Sequence, residues 1–109
     1  MVLFGGYGMS YRFSEQSGTV TVTFTGQMNF TVNVEFRELL SNIVAKRPNS
    51  VVFDLSELTM IDSVGLGLLY IAQEDVAAIG AKLSLARPKD KVARLLELTE
   101  AAKTFEIIP

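Results

Sequence analysis

The stretch Thr19 to Thr25 alternates without a break. Val20, Val22 and Phe24 fall on one side, and Thr19, Thr21, Thr23 and Thr25 on the other. Successive side chains of a strand point to opposite faces, so this pattern specifies a half-buried antiparallel strand of β-branched residues. A second run, Val51-Val52-Phe53-Asp54-Leu55, is apolar nearly throughout. That is expected of a central strand covered on both faces. A sheet holding both kinds of strand is of mixed direction and needs helices to cover it.

The rest of the chain supplies those parts. Tyr11 to Ser14 reads as a short strand, Ser17-Gly18 as the turn into Thr19, and Gly26 as the end of the alternating strand. Thr31 is a suitable cap for a helix to about Lys46, whose apolar stripe is Val32, Phe36, Leu39, Leu40, Ile43 and Val44. Pro48-Asn49 ends it. A second helix runs from about Val64 to Ile79 and closes at Gly80. Lys82 to Leu85 alternates again. Pro88 suits the first turn of a short helix with Val92, Leu95 and Leu96 inward. Phe105 to Ile108 reads as a last edge strand or a terminal helical turn.

The order is therefore β-β-α-β-α-β-α plus a tail. It predicts a single α/β domain over residues 10–109, with a mixed four- to five-stranded sheet and helices packed on it. Residues 1–9 are read as a flexible N-terminal tail. Gly5-Gly6-Tyr7-Gly8 is not followed by the helix pattern that a phosphate-binding glycine loop requires.

Composition narrows the functions. The chain has 109 residues, 49% of them apolar, enough for one core. Its net charge is −2 and it has no basic stripe, which argues against nucleic-acid binding. There is no cysteine, hence no disulfide and no thiol chemistry, in keeping with a cytoplasmic setting. There is no histidine, the commonest general base and transition-metal ligand. No apolar run is long enough to span a bilayer, and nothing resembles a signal peptide.

The segment Asp62-Ser63-Val64-Gly65-Leu66 joins the apolar strand to the second helix. A serine thus sits at a helix N-terminus, where backbone N–H groups are unpaired and the dipole favours negative charge. Ser63 is either a plain cap or a hydroxyl that receives a phosphate, for which that end is a ready anion site. On a wheel of roughly 100° per residue, Val64, Leu68, Ala72, Val76 and Ile79 form the core stripe. Leu66 and Tyr70 then point outward beside Ser63, and Gly65 and Gly67 leave the surface there low. That outward pair is either a partner-docking patch or is covered by a loop or a chain terminus. Asp75 lands on the core side, which the wheel does not account for.

Catalytic motifs fail at this segment. A nucleophile elbow needs Gly two residues before the serine, where Ile61 stands, and a histidine base. Gly65-Leu66-Gly67 lies inside the helix with Tyr70 where a third glycine would fall, so it is no dinucleotide fingerprint. No Walker-type Gly-Lys-Ser/Thr exists. Asp54, near the end of a central strand, suits an aspartyl-phosphate receiver, but the first strand offers at most Glu15 toward the Mg²⁺ this chemistry requires.

The segment Ile61-Asp62-Ser63-Val64-Gly65-Leu66-Gly67 resembles the Asp-Ser-Ser/Thr/Ala-Gly-Leu-Gly loop of the STAS domain, in particular of the bacterial anti-sigma factor antagonists. The approach Val52-Phe53-Asp54-Leu55-Ser56-Glu57-Leu58, then Gly80-Ala81-Lys82-Leu83 and Val92-Ala93-Arg94-Leu95-Leu96, are similar to the family's strands and third helix. The resemblance covers about residues 11 to 108.

It implies a partner switch. The unphosphorylated antagonist binds an anti-sigma factor that is also a serine kinase. The kinase phosphorylates the residue corresponding to Ser63, the complex dissociates, and a PP2C-type phosphatase restores the hydroxyl. ATP and Mg²⁺ belong to the kinase, so this chain is expected to hold no cofactor and no metal and to be no enzyme. The partner-binding set implied is Asp62, Val64, Gly65, Leu66, Tyr70 and Asn29. Asn29 stands where the family commonly has an aspartate, and Val64 where it has a small or hydroxylated residue. The same resemblance leaves open a STAS module in another assembly: a stressosome-like or two-component scaffold, or the soluble subunit of a lipid transporter.

Overall fold

The computed structural model describes residues 2–6 and 9–109. Its elements run β1 (Val2–Gly6), β2 (Met9–Gln16), β3 (Thr19–Met28), α1 (Asn33–Ala45), β4 (Ser50–Ile61), α2 (Ser63–Ala78), β5 (Lys82–Ala86), α3 (Asp90–Leu98) and β6 (Glu106–Ile108). The six strands form one sheet in chain order. β1, β2 and β3 pair antiparallel; β3, β4, β5 and β6 pair parallel. The α/β fold with a mixed sheet is as expected. The sheet is one strand wider than the expected four to five, because Val2–Gly6 pairs with β2 instead of belonging to a flexible tail. That pairing satisfies N–H and C=O groups that β2 would otherwise leave open along an edge. Residues 1, 7 and 8 of that expected tail lie outside the described residues.

The alternation of β3 orders the core. Val20, Val22 and Phe24 are fully buried, while the threonines between them are half-buried. Phe24 stacks with Phe36 of α1 at 5.9 Å between ring centroids. Phe53 of β4 meets Phe24 edge-on at 5.1 Å and Phe36 at 6.0 Å. Such contacts add about 0.5–1.5 kcal/mol per pair beyond area burial. The turn at Ser17-Gly18 has φ of 54° and 82°, positive at both central residues as a type I′ hairpin requires.

The opposite face of the sheet is mixed and not apolar throughout, contrary to the expectation for Val51–Leu55: Asp54, Ser84 and Ala86 are buried there. Val52 is only half-buried. Separate polar pairs lie along this face. Thr19 and Ser50 hydroxyls lie 2.8 Å apart, Glu57 accepts from Arg12 and from the Thr25 hydroxyl, and the Ser84 hydroxyl donates to Glu106.

Two boundaries differ from the sequence reading in ways that shape the site. β3 does not end at Gly26; it continues to Met28. β4 continues past Leu55 to Ile61. Thr23 pairs with Asp54 but Thr25 with Glu57, and Gly26 pairs with Leu58 but Gln27 with Met60. β4 therefore carries an extra residue at each of two bulges. Bulges reset which side chains point inward, so Leu55, Leu58 and Ile61 are all buried. The run from Phe105 resolves as a last edge strand, β6, three residues long.

Candidate functional site

The parallel strands β3 and β4 end side by side, with Met28 paired to Ile61. The next residue in each chain segment starts a helical turn. Asn29 caps the 3₁₀ turn Phe30–Val32 that leads into α1: its Oδ1 accepts from the Thr31 N–H at 3.0 Å and also from the Thr31 hydroxyl. Asp62 caps α2: its Oδ1 accepts from the Gly65 N–H at 2.7 Å. The Asp62 N–H donates to the Met28 carbonyl at 3.3 Å, tying the two turns together.

Thr31 is thus not the cap of the first helix, and Ser63 is not the cap of the second. An Asx side chain upstream reaches the unpaired amides first: Asn29 at the 3₁₀ turn that precedes α1, which has no side-chain cap of its own, and Asp62 at α2 itself. The Asp62 carboxylate occupies the capping position at the start of α2, and Ser63 becomes an exposed first-turn residue. The loop between β4 and α2 is a single residue, Asp62.

Gly65 is buried where α2 crosses the end of β3. A Cβ built on it would lie 2.2 Å from the Met28 carbonyl oxygen and 2.9 Å from Ile61 Cγ1. Gly67, two residues on, meets nothing within 4 Å. The two glycines of the motif therefore answer to different demands, one to packing and the other to the open surface.

This docking sets the rotation of α2. The buried residues are Gly65, Leu66, Leu68, Leu69, Ala72 and Val76. Their stripe is turned about 50° from the one read off the wheel. Leu66, expected to point outward, is 9% exposed and belongs to the core. Tyr70 is half-buried, with its ring 4.9 Å from that of Phe105 in the segment after α3. The C-terminal segment thus covers Tyr70, and the pair does not form an outward patch. Val64, expected in the core stripe, is 45% exposed. The same rotation moves Asp75 out to solvent.

Besides Val64, which the resemblance places in the partner-binding set, the apolar surface at this end comes from two residues the sequence reading did not single out. Phe30, next to the Asn29 cap, is 68% exposed, and Met60, three residues before Ser63, is 40% exposed. With Val64 they place three large apolar side chains on the elements that meet at Met28 and Ile61. The available signal was their position: each is a bulky apolar residue within three positions of a capping Asx.

Asp54 is engaged elsewhere. It is buried, ion-paired with Arg87, and accepts from the Ser56 N–H at 3.0 Å. Burial alone would push its carboxyl up; the Ser56 N–H and the Arg87 guanidinium outweigh that and hold it below the ordinary carboxylate value. Among the described residues no group of three or more His, Cys, Asp or Glu is placed to hold a metal ion. No described helix is long and apolar enough to cross a membrane.

The chain and its fold have relatives. The STAS domain family model matches residues 11–109. A STAS-domain containing protein of Pseudomonas aeruginosa is 28% identical over 88 residues, covering 81% of this chain and 86% of the relative. The anti-sigma-F factor antagonist RsfB of Mycobacterium tuberculosis is 23% identical over 94 residues, 86% of this chain and 76% of the relative. The crystal structure of an anti-sigma factor antagonist from Mycobacterium paratuberculosis superposes with a TM-score of 0.83 at 23% identity, covering 93% of this chain and 86% of that one. With the family model spanning nearly all of the sheet and all three helices, this chain belongs to the STAS domain family.

Proposed function

We propose that the chain is an anti-sigma factor antagonist, a binding module and not an enzyme. In its unphosphorylated form it binds an anti-sigma factor that is also a serine kinase, and phosphorylation of Ser63 releases it. A PP2C-type phosphatase resets the switch. The observation that carries this reading is the division of labour at the start of α2. Asp62 does the capping, so the Ser63 hydroxyl is exposed and the fold does not call on it.

The electrostatics support a switch that leaves the fold intact. Phosphate adds about −1.5 to −2 charges in the first turn of a helix, where the dipole favours them. Exposed apolar side chains, Phe30, Met60 and Val64, stand on the elements that meet at this end, with Asp62 next to Ser63 in the chain. Burying a dianion against such a surface without a cation costs several kcal/mol, and each 1.4 kcal/mol is tenfold in affinity. Asn29 caps its turn with the same Oδ1 that an aspartate would use, so its exchange for the family's aspartate removes a charge from this surface without removing the cap.

The test is incubation with the cognate serine kinase and ATP, followed by intact mass. One phosphate on the chain and none on Ser63→Ala is the expected result, with Ser63→Asp losing at least tenfold in kinase binding. Phosphate retained in Ser63→Ala would overturn the assignment. Recovery of transporter subunits instead of a kinase in a pull-down would place the module in another assembly.

A further inference from the structure

The end that carries Ser63 continues into a groove of about 590 Å³ between the last residues of β4 and the outer side of α3. Met60, Ile61, Leu95 and Leu98 supply its apolar lining, and Asp90, Lys91 and Arg94 its charged lining. At roughly 100° per residue, positions 91, 94, 95 and 98 of α3 share one side. Val92 and Leu96, the buried residues of that helix, lie on the other. Leu98 is 64% exposed, a large apolar side chain that the core does not use.

The cations of this lining are uncommitted. The ion pairs among the described residues engage Arg12, Lys46, Lys82, Arg87 and Lys103; Lys91 and Arg94 take part in none. An apolar lining with two cations outside any ion pair is complementary to an amphipathic segment that carries carboxylates beside its apolar residues. Nucleic acid is a poor fit, since Asp90 and Glu97 sit on the same helix and the whole chain is net negative.

We propose that this groove docks an acidic amphipathic segment of a protein partner, with apolar side chains on Met60, Leu95 and Leu98 and carboxylates on Lys91 and Arg94. The groove is argued from its own lining and does not require modification of Ser63.

The experiment pans a displayed library of random 12-residue peptides on the full folded chain and maps each selected peptide by amide chemical shifts. The expected peptides are rich in Asp and Glu with apolar residues at helical spacing, and they shift Met60, Ile61 and residues 91–98. The double variant Lys91→Glu, Arg94→Glu should bind them at least tenfold more weakly, with an unchanged circular dichroism spectrum. Leu98→Ala should weaken them without altering their dependence on salt. Selected peptides that are basic, that footprint elsewhere, or that bind the double variant equally well would overturn the proposal. So would a chain that binds vesicles of anionic lipid through Lys91 and Arg94 and selects no peptide in the groove.

Discussion

Gly65 and Met28 are in a contact that admits no side chain: a Cβ on Gly65 would sit 2.2 Å from the Met28 carbonyl oxygen. The obstacle is backbone at the end of a paired strand, which cannot swing aside as a flexible side chain would. Gly65→Ala should therefore cost about 1–3 kcal/mol, the range for overpacking. Gly67→Ala, with nothing within 4 Å, should instead stabilise by up to about 1 kcal/mol through helix propensity. Urea unfolding of the two variants reads the difference. If the open surface at Gly67 serves a partner, Gly67→Ala will weaken binding while raising stability, a combination that a structural role does not produce.

The capping assignment separates Asp62 from Ser63. Asp62→Ala removes the acceptor of the Gly65 N–H and should cost about 1 kcal/mol. Ser63→Ala should fall within about 0.5 kcal/mol of the parent, as for other exposed positions away from special features. Equal losses in the two variants would return the cap to Ser63. The measurement is the denaturation midpoint at constant slope.

Asp54 gives the acid side of the stability profile a definite sign. Its carboxyl is held below the ordinary value in the folded chain, so the native state binds that proton less readily than the unfolded state does. The resulting stabilisation is present above the unfolded value of about 3.9 and is lost as pH falls through the lower folded value. Glu57, hydrogen-bonded by Arg12, and Glu106, hydrogen-bonded by Lys82, are shifted in the same direction but lie at the surface, where solvent screens them. Arg87→Met should flatten the loss of stability below about pH 4 relative to the parent, in thermal melts at stepped pH. An unchanged acid limb would mean that the Arg87 pair does not hold Asp54.

Phe105 is 3% exposed and lies over Tyr70. Phe105→Ala should cost about 3–5 kcal/mol, as for large-to-small changes in cores, and should expose Tyr70. Tyrosine fluorescence quenching by iodide, measured below the melting transition, reports that exposure. A variant with parent stability would show that the segment after α3 is only loosely laid on the domain.

Much of the architecture was legible because it rests on local patterns. The alternation of Thr19 to Thr25 sets which side of β3 is buried, since a strand has only two faces and a slip of one residue exchanges them. The stripe of α1 was equally readable: Phe36, Leu39, Leu40 and Ile43 recur at helical spacing and are its buried residues. The turn at Ser17-Gly18 and the stop at Gly80 are written in residues that accept a positive φ.

The site was less legible, for physical reasons. α2 is apolar nearly all round, so a wheel offers several stripes of similar quality and cannot choose among them. The choice falls to the contact of Gly65 with Met28, between residues 37 positions apart, which presses one side of the helix start onto the end of β3. The bulges of β4 were equally invisible, because they exist only relative to the partner strand. The sequence by itself determined the class of fold and that Asp62 and Ser63 stand at a helix start. Tertiary structure alone decided that Asp62 is the cap, that Leu66 goes inside, and that Phe30, Met60 and Val64 are exposed. Burial on a helix apolar all round is set by what it packs against, and that partner is distant in the chain.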